Sequence, residues 1–89
     1  MDLDLIKDAV KLHVYHIPSD KNVPLHKHKN LDEIFYCIKG SGFGVLADSE
    51  VTMNVGDTFV VPAGVMHSLR SDNELYVTAL LVPVVDGKE

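Results

Sequence analysis

The sequence contains no tryptophan, a single cysteine and no excess of positive charge. Its 89 residues are only 7% aromatic, so a folded core has to be mainly aliphatic. Because Cys37 has no second cysteine to pair with, an internal disulfide is excluded and nothing here requires an oxidising compartment. The net charge of −5 leaves no basic stripe to replace the counterions of phosphates. Nucleic acid is therefore not an expected partner.

Long apolar runs and a basic leader are also missing. The longest apolar stretch, ALLVPVV, is too short to cross a bilayer and contains Pro83. The N-terminal segment MDLDLIKD carries Asp2 and Asp4, where a signal peptide carries positive charge. We therefore expect a cytoplasmic protein with no membrane partner.

What the chain does contain is a succession of short β-type segments. Val10, Leu12 and Val14 alternate with polar or amphipathic residues, which is the period of a strand. Further strands are predicted at residues 34–38, 43–46, 58–61 and 75–82, because turn residues separate these β-branched and aromatic runs. About seven or eight strands spaced roughly 8–12 residues apart predict an all-β sandwich or barrel. Only the first residues are expected to form a short helical turn, and residues 1–89 are expected to form one domain.

The segment PLHKHKNLDE holds two histidines one residue apart. If it is extended, His26 and His28 leave the same face, about 6–7 Å apart, and can converge on one ion. Glu33 follows the turn-like KNLD and opens a strand in which Glu33, Phe35 and Cys37 share a face. A solvated histidine pair beside a surface glutamate is the alternative interpretation, because such short patterns also occur without a metal.

The segment GDTFVVPAGVMHSL supplies a third imidazole. Gly56 and Asp57 predict a turn, Pro62 and Gly64 predict a sharp corner, and His67 follows on the next strand. Three histidines and one carboxylate form a mixed nitrogen and oxygen donor set. Such a set suits Fe, Mn, Ni, Co, Cu or Zn better than Ca or Mg, which prefer oxygen ligands alone.

Together the two segments resemble the two sequence motifs of the cupin superfamily. The first motif, residues 26–40 here, is HxH, three or four residues, Glu, six residues and Gly. The second, residues 56–70, is Gly, five residues, Pro-x-Gly, two residues, His, three residues and Asn. The positions that match are His26, His28, Glu33, Gly40, Gly56, Pro62, Gly64 and His67. The chain departs from the pattern at Asp20, where the motif has Gly, and at Ser71, where it has Asn.

The resemblance implies a jelly-roll β-barrel that holds a divalent transition metal, such as Fe, Mn, Ni or Zn. The implied ligands are His26, His28, Glu33 and His67. It further implies a small metal-dependent enzyme acting on a small oxygen-bearing metabolite, or else a non-catalytic module that binds a metal or a small molecule. No catalytic residue beyond the ligands is identified, and His13 and His16 are interpreted as surface or loop residues.

A homodimer is predicted from the strand EIFYCIKG. If Glu33, Phe35 and Cys37 face inward, then Ile34, Tyr36 and Ile38 face outward and form an apolar patch that needs a cover. A second copy related by a two-fold axis would supply it. The alternative is that residues 1–9 fold back over the patch.

Overall fold

The computed structural model describes residues 2–84, which form one short helix and five strands. The bounds are α1 (Leu3–Ala9), β1 (Lys11–Ile17), β2 (Leu31–Leu46), β3 (Glu50–Asn54), β4 (Thr58–Val61) and β5 (His67–Pro83). The helix begins where the Asp2 carboxylate accepts a hydrogen bond from the Asp4 N–H, and it buries none of its residues. No helix within residues 2–84 has the length and apolar character needed to cross a bilayer.

All strand pairs in this fold are antiparallel. The sheet has the order β1-β5-β2-β3, and β4 pairs with β2 as well. The two long strands β2 and β5 therefore run side by side, and the shorter strands pair with them at either end. The predicted all-β jelly-roll fold is confirmed.

The strands are fewer and longer than the sequence suggested. Residues 34–38 and 43–46 were expected to be separate strands divided by a turn at KGSG, but both belong to β2. Gly40 does take a left-handed conformation, with φ of 78°. Its effect is a bulge that shifts the β2–β5 register rather than a turn that ends the strand. Likewise the predicted strand that carries His67 and the strand predicted at residues 75–82 both belong to β5.

The bulge reverses which residues of β2 face inward. Before it, the odd-numbered residues from Glu33 to Cys37 are buried, as predicted. After it Gly44 faces inward, and a Cβ there would lie 2.5 Å from the Phe59 ring. Phe43 consequently faces outward, with the Arg70 guanidinium 4.1 Å from the centre of its ring. Strict alternation along one continuous strand would place Phe43 in the core with Glu33 and Phe35, but the bulge adds a residue that the alternation rule does not count.

The core occupies the inner face of the curled sheet and is mainly aliphatic, as the low aromatic content predicted. Its buried members are Ile17, Phe35, Cys37, Met53, Phe59, Val61, Leu69, Leu75, Val77 and Ala79. One end of this core meets a group of polar side chains contributed by the two histidine segments.

Candidate metal centre

His26 and His67 are joined by a short antiparallel bridge. The His26 N–H donates to the His67 carbonyl at 2.9 Å, and the His67 N–H donates to the His26 carbonyl at 2.8 Å. Their ring centroids lie 4.5 Å apart as a result. The backbone thus brings together one histidine from each half of the sequence pattern.

The turn at Pro62–Gly64 fixes the remaining parts of the two segments. The Gly64 N–H donates to the His28 carbonyl at 2.8 Å, and Gly64 has a left-handed φ of 85° that favours glycine. The Ala63 N–H donates to Oδ1 of Asp32 at 2.8 Å. The carboxylate of Asp32 thus links this turn to β2.

Glu33 is the buried carboxylate of the centre. It lies on β2 between Val61 of β4 and Leu81 of β5, and only 3% of it is exposed. Nε2 of His28 and Nε2 of His67 each lie 3.1 Å from Glu33 Oε1, and His67 is 1% exposed. A charged group is rarely buried this deeply without partners of opposite charge or a metal.

The second ring nitrogens are held by backbone carbonyls. Nδ1 of His26 lies 3.1 Å from the Pro24 carbonyl, and Nδ1 of His67 lies 2.9 Å from the Val65 carbonyl. Since a carbonyl only accepts, each Nδ1 carries the hydrogen, and in a neutral ring Nε2 is left with its lone pair. For His67 that lone pair faces a carboxylate oxygen. The contact is favourable only if a proton or a metal cation lies between the two acceptors.

The spacing of the four groups fits one metal ion. One donor atom from each of the predicted ligands, His26, His28, Glu33 and His67, lies within 4.8 Å of every other. Metal–nitrogen and metal–oxygen bonds of about 2.0–2.2 Å place adjacent ligands of an octahedral ion roughly 3 Å apart. The two distances of 3.1 Å agree with that value. The structure therefore brings the four predicted residues into a geometry that suits a metal.

The two buried members of the centre perturb each other's titration. Burial acts to raise the pKa of Glu33, but the hydrogen bond from His67 and the charges of His28 and His67 outweigh it and hold that pKa below its ordinary value. Burial acts to lower the pKa of His67, yet the contacts with Glu33 and the Val65 carbonyl raise it above its ordinary value. Glu33 is therefore a carboxylate, the form that coordinates a metal, at neutral pH.

A cavity of about 470 Å³ opens onto the centre. Its wall combines the four candidate ligands with the apolar side chains of Phe35, Leu69 and Leu81. Small-molecule sites in proteins have volumes of roughly 300–1,000 Å³ and similar apolar linings with few polar groups.

Two further residues of the cavity were missed at the level of sequence. His13 and Tyr15 line it from β1, which is separated from β2 by β5 in the sheet. His13 is exposed, as predicted for a surface residue, and it also lines the open cavity. Its period-two alternation with Tyr15 and the buried Ile17 was the available signal for that position. His16 also borders the cavity, but its ring is stacked on Tyr76 with centroids 4.2 Å apart.

Several known proteins are similar to this chain in sequence. A family model described as a cupin domain matches residues 13–83. The chain is 31% identical over 90 residues to an L-ectoine synthase from Hahella chejuensis, covering 96% of the chain and 67% of that protein. It is 37% identical over 60 residues to an acireductone dioxygenase from Branchiostoma floridae, covering 61% of the chain and 34% of that protein. The chain thus spans about two thirds of the first relative and about one third of the second.

Solved structures show the same fold. A predicted oxalate decarboxylase from Thermotoga maritima superposes with a TM-score of 0.80 at 22% identity, over 94% of this chain and 76% of that one. At this level of identity the likeness concerns the fold alone.

Proposed function

The chain belongs to the cupin family, and we propose that it is a metal-dependent enzyme acting on a small oxygen-bearing metabolite. The observation that carries the proposal is the convergence of His26, His28, Glu33 and His67 on the wall of a cavity of about 470 Å³. Four protein ligands on a six-coordinate ion leave two positions for water or a substrate. A ligand in the cavity has direct access to them.

The donor set supports a divalent transition metal, with Fe, Mn, Ni and Zn as the candidates. When bound, such an ion supplies a Lewis acid that polarises an oxygen ligand or lowers the pKa of a bound water. The protein's own contribution is to position the ligands. The Pro24 and Val65 carbonyls fix the ring orientation of His26 and His67, and burial keeps Glu33 from exchanging with solvent.

The names of the relatives support an enzyme, since both denote enzymes. They do not select a reaction, because the two names describe different chemistry and the chain spans only part of each protein. A cupin fold hosts many activities, and activity resides in the site rather than in the fold.

A non-catalytic binding module is the second candidate. Glu33 is the single carboxylate among the described residues that line the cavity, and the proposal assigns it to the metal. It is then not free to act as a general base. This arrangement favours simple binding over proton transfer, unless the metal itself activates a water.

Elemental analysis of untagged protein tests the metal centre first. We expect about one equivalent of Fe, Mn, Ni or Zn per chain. Protein that purifies without metal and binds none of these four ions in titration would refute the centre. Turnover of a panel of small hydroxy and keto acids, compared between wild type and metal-free His28→Ala, then separates the two candidates. Tight metal binding without turnover would favour the binding module.

We further propose a homodimer that pairs through the outer face of the sheet. In that face Val60, Ile34, Leu80 and Leu12 lie side by side in one register row across four neighbouring strands. Val60 is 59% exposed and Leu12 is 65% exposed. Helix α1 buries none of its residues, which supports a second copy rather than residues 1–9 as the main cover of this row.

The size and chemistry of this face support a second copy as the cover. The adjoining row adds Tyr36 and Val14, which are 46% and 66% exposed. Monomeric proteins rarely expose a continuous apolar face of this kind. Strand β1 pairs with β5 and, among the described residues, with no other strand, so its outer edge is open to a partner as well.

A further inference from the structure

We propose that His13, Tyr15 and Lys21 form an anion-binding wall opposite the metal centre, so that the substrate is a small metabolite with oxygen-bearing groups at both ends. One end would reach the metal and the other would be bound by this wall. The proposal rests on the proposed metal-dependent function and specifies the class of substrate for the same cavity.

The pairing of the strands places His13 two strands away from the strand that carries Glu33, and Lys21 borders the same cavity from the loop after β1. His13 is the register partner of Ala79 on β5, and Ala79 is the partner of Phe35 on β2, two residues from Glu33. Two strand spacings, about 10 Å, therefore separate the backbone of β1 from that of β2. The residue between them on the inner face is the small Ala79, which leaves space that a larger side chain would fill.

The side-chain polar atoms of the wall have no hydrogen-bonding or ion-pairing partner among the described residues. Within residues 2–84, the side chains of His13, Tyr15 and Lys21 form neither a hydrogen bond nor an ion pair with other groups; the His13 and Tyr15 rings contact each other at a centroid distance of 5.8 Å. The neighbouring His16 is different, because its Nε2 lies 3.3 Å from the Glu74 carboxylate and its ring stacks on Tyr76. An imidazole, a phenol and an ammonium group thus remain available to a ligand in the cavity.

The charge of the lining selects an anion. The chain has 13 acidic and 8 basic residues, yet Glu33 is the single acidic residue among those that line the cavity. Lys21 adds a positive charge at the wall, and a divalent metal would more than offset Glu33. A cationic substrate would be repelled from such a cavity. A carboxylate would accept hydrogen bonds from the wall, and hydrogen bonds that involve a charged group are among the strongest in proteins.

Matched carboxylate pairs provide the test. Metal-loaded protein is titrated calorimetrically with succinate against butyrate and with glutarate against valerate, which differ in one terminal carboxylate. We expect the dicarboxylates to bind about 10-fold tighter, the effect of one charge-assisted hydrogen bond. In His13→Ala, and separately in Lys21→Ala, most of this advantage should disappear while affinity for the monocarboxylates is unchanged. His16→Ala is the matched control and should retain it.

Three results would overturn the proposal. The first is equal affinity for both members of each pair in the wild-type protein. The second is a dicarboxylate advantage that survives both His13→Ala and Lys21→Ala, since both carboxylates would then be bound by the metal. The third is an equal loss in His13→Ala and His16→Ala. Metal content is measured on the same samples. If no metal is bound, the proposed function fails separately, and the same comparison in metal-free protein still tests the wall.

Discussion

His67 and Glu33 lie 34 positions apart in the chain, and their side chains meet at 3.1 Å in the interior, where neither is more than 3% exposed. The Val65 carbonyl takes the hydrogen of the other ring nitrogen of His67. A neutral His67 therefore directs a lone pair at a carboxylate, so this pair requires either a proton or a metal ion between the two atoms. Both possibilities lead to measurable consequences.

Loss of one ligand should abolish stoichiometric metal. We expect His28→Ala to reduce metal affinity by more than about 100-fold, because even the loss of an outer partner of a metal ligand costs 10–100-fold. Metal content after dialysis, measured by mass spectrometry, gives the result. His16→Ala is the control, since that imidazole contacts Glu74 and Tyr76 instead. Retention of one equivalent of metal by His28→Ala would contradict the proposed ligand set.

The metal-free protein should show a stability window in mild acid. The pKa of Glu33 is held below its ordinary 4.5, so its contribution is present above that pH and is lost as the pH falls through the lowered pKa. The pKa of His67 is raised above its ordinary 6.5, so its contribution is complete below that pH and is lost as the pH rises through the raised pKa. The pair should therefore stabilise the fold most between these two ordinary values.

Urea unfolding of chelator-treated protein between pH 4 and 9 measures this window. The difference in free energy of unfolding between wild type and Glu33→Gln should be largest in mild acid and smaller above neutrality. A difference that does not change with pH would show that the pair does not titrate as a unit. Metal affinity should follow the opposite trend and increase as the pH rises, because histidine has to be neutral to coordinate.

A methyl group at position 44 should destabilise the fold. The Cβ of Gly44→Ala would lie 2.5 Å from the Phe59 ring, so the ring or the strand has to move. Overpacking of this kind costs roughly 1–3 kcal/mol. Phe59→Ala removes the clashing ring atoms, so Gly44→Ala should cost less stability in the Phe59→Ala background than in the wild-type protein. If Gly44→Ala is as stable as the wild type in urea unfolding, strand β2 is not packed as described.

The proposed dimer should dissociate when a charge enters its apolar face. Ile34→Glu and Val60→Glu lie in the same register row, and each would bury a carboxylate against the partner's apolar side chains. Light scattering on a sizing column should report a dimer mass for wild type and a monomer mass for both variants. Metal content should be unchanged, since both side chains point away from the centre.

The matched control for the dimer is Val55→Glu. Val55 is 62% exposed, close to the 59% of Val60, but it lies in the turn between β3 and β4. The Val55→Glu variant should therefore keep the dimer mass that light scattering reports for the wild-type protein. A monomer mass for the wild-type protein at micromolar concentration would refute the dimer.

The sequence by itself determined the fold class and the composition of the candidate site. Alternating apolar residues and frequent turn residues are local features, and they sufficed for an all-β prediction. The spacing of His26 and His28, the strand start at Glu33 and the corner before His67 likewise lie within short segments. These short segments, through their resemblance to the cupin motifs, identified the candidate ligands, and the structure brings all four together.

Only the tertiary structure decided how many strands form and which way several side chains face. The glycines from Gly40 to Gly44 are consistent with either a turn or a bulge, and the choice depends on pairing with β5, which lies far along the chain. The position of His13 beside the cavity likewise depends on the register between β1 and β5. Such pairings are set by which faces can be buried together, a property of the whole sheet that no single segment contains.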